Sequence, residues 1–275
     1  MTEISVIHIA FRDYGIAPFD RFIRSYRRFA SGIDHELVIA LKGFANLDDA
    51  KPFLDLAEGI RFVPVFVPDQ GFDLGTYFHV YPQRPSERFC FLNSNAEPLA
   101  PDWLRKLSNA LDTQNMGLVG ATGSFESLAS DCLRELKGGR SLNRRNPLRG
   151  WLAFLRLVRN YPRFPNPHIR TNAFLIRRET LDRLAPLVVR DKTDAWRFES
   201  GRRSLTAQVI DQGLKIALVD SLGKICFPDD WPSSRTFRSG DQSHLLVADN
   251  QTRAFAEASA ETRASLSSMS WERPT

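Results

Sequence analysis

The chain has 275 residues, of which 43 % are hydrophobic and 25 % charged, enough for one large α/β unit with a substantial core. No run of about 20 apolar residues is present, which excludes a membrane-spanning helix. The three scattered cysteines, Cys90, Cys132 and Cys226, fit neither a zinc spacing nor a disulfide framework and point to a reducing cytoplasm.

In chain order, the acidic start of the sequence lacks the basic segment of a signal peptide and runs straight into an apolar stretch, 4–10, that predicts a buried strand. Residues 18–30 set Phe19, Phe22, Ile23, Tyr26 and Phe29 at helical spacing, with arginines on the opposite face. Strands are expected over 36–43, closed by Gly43, and over 60–68. Asp73 is the expected N-cap of a helix over 73–82 that ends near Pro82. Residues 88–93 read as a fourth strand, 100–111 as a helix and 117–123 as a fifth strand. Strands and helices alternate at intervals of roughly 25 to 30 residues, the rhythm of a doubly wound, mostly parallel sheet.

The second half changes character. Residues 138–150, rich in Gly, Arg and Asn, read as a loop, and 149–164 as a basic amphipathic helix. Residues 165–184 read as a polar turn, a strand and a helix, and 193–220 as a loop, a helix and a strand. The segment after Ala256 reads as a frayed helix or a disordered tail. The net charge is +5, and the excess is concentrated between Arg134 and Arg163, where Glu135 is the one acid. A basic excess suits nucleic acid, an anionic membrane surface or phosphorylated substrates, or is simply a solvated face. Nucleic acid is the weakest of these readings, because no recognised binding motif or aromatic-basic alternation is present.

The buried strand ending in FCFLNSNAEPL (89–99) ejects a polar cluster, Asn93-Ser94-Asn95, with Glu97 two residues on. Strand ends of this kind are where α/β sheets bind ligands; the alternative is that Asn93 and Asn95 only cap a turn. Three segments together, PDQGFDLGTYFHV, FCFLNSNAEPLAPDWL and PNPHIRTNAFLIRRETL, resemble GT-A-type glycosyltransferases, in particular family-2-like enzymes and the rhamnan-synthesis-type branch. The resemblance spans residues 4 to 220, and the order and spacing of the segments carry it. It implies a GT-A-like, Rossmann-type fold: a mostly parallel central sheet flanked by helices, with a C-terminal acceptor-side extension. Residues 1–125 would be the nucleotide-sugar-binding half, 126–255 the acceptor-side half of the same domain, and 256–275 a polar tail.

The activity implied is transfer of a sugar from a nucleotide-sugar to a glycan or lipid-linked acceptor, in the building of a polysaccharide, lipopolysaccharide or glycan chain. Such transfer needs a stabilised leaving diphosphate, a base for the acceptor hydroxyl and a dry, aligned site. Most GT-A enzymes hold Mn²⁺ or Mg²⁺ with an Asp-x-Asp, where this chain has Asn93-Ser94-Asn95. Asn93, Asn95 and Glu97 would bind a divalent ion weakly, so the expectation is a metal held mainly by the donor, or none, with Arg170, Arg202, Arg203 and Arg238 as candidate replacements for its charge. Gly71 and Gly75 allow close backbone approach in the turn before the central strand, and Asp69 or Asp73 can accept from a base or ribose hydroxyl. His8 and His168 complete the expected donor-binding set of Asp69, Gly71, Asp73, Asn93, Ser94, Asn95, Arg170 and Arg202; His244 is a candidate late metal ligand.

Glu199, read as lying just before a helix start, is the expected base for a direct, inverting displacement, with Asp194 second; the alternative is a surface pairing of Glu199 with Arg202 or Arg203. Trp196 and Trp231 either stack on sugars or pack. The basic helix 149–160 either docks on a membrane surface from the cytoplasmic side or packs on the core with a basic outer face. The competing function is a catalytically degenerate protein that binds a sugar-nucleotide or glycan without turnover.

Overall fold

The structure, a computed structural model, describes residues 3–137, 147–185 and 188–272. Its elements follow in chain order: β1 (Ile4–Phe11), α1 (Ile16–Arg28), β2 (Glu36–Lys42), α2 (Leu47–Leu56), β3 (Val63–Val67), α3 (Phe72–Val80), β4 (Arg88–Leu92), β5 (Glu97–Pro98), α4 (Trp103–Leu111), β6 (Met116–Gly120), β7 (Gly123–Ser124), α5 (Leu128–Lys137) and α6 (Pro147–Asn160). Then come β8 (His168–Ile169), β9 (Ala173–Arg177), α7 (Arg178–Asp182), α8 (Lys192–Ser200), α9 (Leu205–Asp211), β10 (Lys215–Val219), β11 (Ile225–Cys226), β12 (Val247–Ala248), α10 (Asn250–Glu257) and α11 (Ala260–Trp271).

An eight-stranded sheet in the order β11-β10-β6-β9-β4-β1-β2-β3 forms the centre. β3, β2, β1 and β4 run parallel, as do β6 and β10, while β9 lies antiparallel between β4 and β6 and β11 is an antiparallel edge. The expected mostly parallel sheet flanked by helices is what the chain adopts. Strand alternation builds two cores. Ile4, Val6 and Ala10 of β1 pack with Phe22 of α1 and Trp103 of α4 on one face; Ile7 and Ile9 pack with Tyr77 of α3 and Phe198 of α8 on the other. The connections α1, α2 and α4 cover one face and α3 the other, and the strand order turns back at β1, leaving a crevice at the carboxyl ends of β1 and β4.

Four details differ from the sequence reading. Gly71, not Asp73, is the N-cap of α3: its φ is +71°, and a Cβ there would stand 2.8 Å from the Cα of Gly75, so only glycine fits the turn. Residues 192–200, expected as a loop, form α8, whose N-cap Asp191 accepts from the Asp194 amide at 2.9 Å. Glu199 therefore lies in the last turn of a helix rather than just before one. Residues 260–271, expected as a frayed or disordered tail, form α11, tied down where Trp271 Nε1 donates to the carbonyls of Phe237 and Arg238 at 3.1 Å. Lastly, the expected loop 138–150 is helical from Pro147; its residues 138–146 lie outside the described residues.

Candidate functional site

A cavity of about 500 Å³ opens at the switch point of the sheet. Asn93 and Asn95 line it from the end of β4, Tyr14 from just after β1, and Asp73 from the first turn of α3. β8 supplies His168, the β8–β9 connection Arg170, Thr171 and Asn172, α8 supplies Lys192, Trp196 and Glu199, and the start of α10 supplies Asp249. Sequence segments more than a hundred residues apart thus meet at one sheet edge, because β9 inserts between β4 and β6 and brings its N-terminal end to their carboxyl ends.

The two asparagines divide the work. Asn93 Oδ1 accepts from the Asn95 amide at 3.0 Å, so Asn93 closes the turn as the alternative reading had it, while also facing the cavity. Its own amide donates to Asn172 O at 2.9 Å. Asn172 Oδ1 accepts from Thr122 at 2.6 Å, and its buried Nδ2 has no partner among the described residues. A buried donor without an acceptor is costly, and the residue that carries it borders the cavity.

Glu199 is half-buried and accepts from Thr171 Oγ1 at 2.7 Å. Burial pushes its carboxyl above the ordinary range, against the Thr171 hydrogen bond and the positive charges of Arg170 and Lys192. Burial raises Asp73 to about 6, with Lys42 opposing and Glu199 adding to the rise. His168 is buried and donates from Nδ1 to Asn166 O at 2.8 Å, which leaves Nε2 as a bare acceptor; burial holds the ring neutral by lowering its pKa. Arg170 is bound on several sides: Nη2 pairs with Asp249 at 2.7 Å, Nη1 reaches Thr122 at 3.3 Å, and the guanidinium stacks over Phe237 at 4.0 Å. Burial works to raise Asp249, but Arg170 and the Thr252 hydrogen bonds outweigh it and hold that carboxyl below its usual range.

Several expected residues lie elsewhere. His8 is fully buried on β1, stacked on Phe22 at 3.6 Å between ring centroids, with neither ring nitrogen hydrogen-bonded; it is a core residue, on the α1 face by strand alternation. Asp69 pairs with the buried Lys42 at 3.5 Å. Ser94 is buried beneath the turn and does not line the cavity. Asp194 and Arg202 sit on the far side of α8, lining a separate groove: Asp194 is held by Arg190 and Arg197, and Arg202 donates to the carbonyls of Arg159 and Val158. Arg203 lines the same separate groove. Arg238 pairs with Glu126 at 2.7 Å, and Trp231 is core. His244 stands 3.5 Å from Asp220, outside the cavity lining.

The metal set expected of Asn93, Asn95 and Glu97 does not converge. Glu97 faces a different groove and is engaged by Arg253 at 3.0 Å, and Asn93 Oδ1 is already used by the turn. Among the described residues no three His, Cys, Asp or Glu side chains are grouped to hold an ion. These residues do not fit a resident divalent metal.

Sequence reasoning missed Glu126, Thr171, Asn172, Lys192, Asp249 and Met269 in the lining. Asp249 carried a legible signal: an Asp followed three residues later by Thr252, which forms a reciprocal cap at the start of α10. Met269 carried none, since its place depends on the docking of α11.

A scan against family models returns no match, and a search of curated proteins returns none either. Among solved structures, similar ones include glucosyl-3-phosphoglycerate synthase from Mycobacterium tuberculosis with Mn²⁺, UDP and phosphoglyceric acid, at 15 % identity and a TM-score of 0.41, covering 76 % of this chain and 62 % of that one. A mannosyltransferase from Pyrobaculum calidifontis, solved with GDP-Man and Mn²⁺, is similar at 12 % identity and a TM-score of 0.45, covering 95 % of this chain and 66 % of that one. The chain spans less than two thirds of the length of either.

Proposed function

We propose that this protein is a GT-A-type glycosyltransferase that moves a sugar from a nucleotide-sugar to a hydroxyl of a glycan or lipid-linked acceptor, with inversion and with Glu199 as the base. The observation that carries this reading is that Glu199 and the Asn93-x-Asn95 turn, 104 residues of sequence apart at their nearest, face one cavity at the switch point of the sheet. In this reading residues 1–125 form the core of the donor side, joined by His168 and Arg170 from the second half, and the rest of residues 126–255, α8 above all, forms the acceptor side.

In this reading the donor lies along the β4 end. Asn95 and Arg170 offer hydrogen bonds to its phosphates, while Asp73 and the Nε2 of His168 accept from its hydroxyls. The acceptor enters past α8. Glu199 takes the hydroxyl proton as the acceptor oxygen bonds to the anomeric carbon and the bond from that carbon to the diphosphate oxygen breaks. The Thr171 hydroxyl orients the carboxylate and favours its ionised form, the form a base needs at neutral pH. Because Arg170 is already paired with Asp249, it compensates only part of the leaving group's charge, which also suits the second reading, a donor-binding protein without turnover.

Thermal shift against UDP-, GDP-, dTDP- and CMP-sugars, followed by a search for donor hydrolysis and transfer, tests the reading. A stabilising nucleotide-sugar together with turnover that Glu199→Gln abolishes, by roughly 10²-fold or more, with donor binding kept, is the expected result. Unchanged turnover in that variant removes Glu199 from the mechanism, and a donor shift without hydrolysis or transfer to any acceptor favours the second reading.

A further inference from the structure

The basic helix α6 had two sequence readings, a membrane-docking face or a core-packed stripe with a basic outside. The structure splits the apolar residues of the helix between two sides: Trp151 is 55 % exposed, Leu152 48 % and Leu155 46 %. The helix rests on Phe154, Leu157 and Val158, which are half-buried, and its end is held by Arg202, which donates to the carbonyls of Arg159 and Val158. At about 100° per residue, Trp151, Leu155 and Arg159 follow one line along the surface, with Leu152 and Arg156 beside it. Single exposed leucines are ordinary; an indole and two leucines on one helix face, bordered by arginines, are not.

We propose that this face of α6 lies in the plane of a bilayer surface rich in anionic phospholipid. The chemistry matches on both counts. Trp151, Leu152 and Leu155 insert at the boundary between headgroups and acyl chains, and Arg156 and Arg159 reach along their stems to the phosphates. The 134–163 stretch holds a basic excess greater than the +5 of the whole chain, so the remainder of the sequence is net acidic and the attraction is localised. A second copy is a poor occupant, because a two-fold contact through α6, which carries three arginines and no acid, would bring positive charge against positive charge. Among the described residues no helix is long and apolar enough to cross a membrane; a helix lying on the surface needs no such length.

The test is co-sedimentation of the full chain with vesicles of phosphatidylcholine alone and of phosphatidylcholine with phosphatidylglycerol, at low and high salt. It uses no sugar-nucleotide, so its outcome is independent of the transferase reading. Binding to the anionic vesicles only, weakened by salt, is expected. Trp151→Ser/Leu152→Ser/Leu155→Ser should lower partitioning at least tenfold while a single cooperative melting transition is kept, since none of the three side chains is buried in the core. Arg156→Gln/Arg159→Gln should lower it about fivefold per charge removed. No binding of the wild type to anionic vesicles, binding that the serine variant retains, or a dimer in sedimentation that the serine variant dissolves would overturn the proposal.

Discussion

Glu199 and Asp73 are carboxyls of one cavity, both raised by burial, and their neighbours separate their behaviour. Thr171 donates to Glu199 and favours its charged form. In the proposed transferase, Thr171→Val should therefore move the acidic limb of the rate to higher pH while leaving the plateau close to that of the wild type; an unmoved limb would remove Thr171 from this role. Asp73 has its ordinary pKa near 3.8 when unfolded and about 6 when folded. The folded state thus holds the proton more tightly, and the associated stability is full below the unfolded value and lost as pH rises through 6. Asp73→Asn should raise the melting temperature at pH 7.5, by the equivalent of up to about 3 kcal/mol, and leave it nearly unchanged at pH 4. Equal melting shifts at both pH values would show that Asp73 is not desolvated. Asp73, Asn93, Asn95, His168, Arg170 and Glu199 were legible as cavity residues because each sits in a polar break beside a strand or helix end. Asp194 was misplaced because a helix occupies 192–200, and one turn sends neighbouring side chains to opposite faces; Arg202, just past that helix, is drawn to the carbonyls at the end of α6.

At the scale of elements, α10 starts on a residue with two jobs. Asp249 caps the helix through Thr252 and neutralises the buried Arg170. Asp249→Ala should cost about 4 kcal/mol in denaturant unfolding, the sum of a lost cap and an uncompensated buried charge. Asp249→Asn keeps the capping acceptor and should cost less; equal losses would mean that the cap contributes nothing. The turn into α3 depends in the same way on Gly71, and Gly71→Ala should displace that helix start and destabilise by more than about 1 kcal/mol, read by the same unfolding curve. The longer strands and α1 were legible because their apolar patterns are strong; the two-residue strands β5, β8, β11 and β12 were not, since so short a run has no period of its own. α8 was not, since only Ala195 and Phe198 face the core, and α11 was not, since its composition is polar and its order comes from Trp271 reaching two distant carbonyls.

Over the whole molecule, the buried histidine at the centre of the sheet couples the fold to pH. Burial takes His8 down to about 3 from 6.5. Its contribution to stability is complete above the unfolded value and is lost as pH falls from 6.5 towards 3, amounting to about 2 kcal/mol at pH 5. His8→Leu should narrow the gap in melting temperature between pH 7.5 and pH 5; an unchanged gap would place the acid sensitivity elsewhere. Donor affinity should also survive EDTA within a few fold, because Glu97 is committed to Arg253 and Asn93 to its turn. Complete loss of donor affinity on chelation would show that an ion is held here after all.

The alternation of apolar strands with amphipathic helices, and the polar break after β4, determined the layered α/β sheet and the end of it that carries the cavity, since burial periodicity and turn chemistry are local properties of the chain. Which polar groups converge was decided only in three dimensions. The insertion of β9 between β4 and β6 brings Arg170, Thr171 and Asn172 to the turn at Asn93, the hand of α8 points Glu199 inward and Asp194 outward, and the packing of α6 leaves its tryptophan in the open. Each of these follows from contacts between segments far apart in sequence, whose geometry no local pattern encodes.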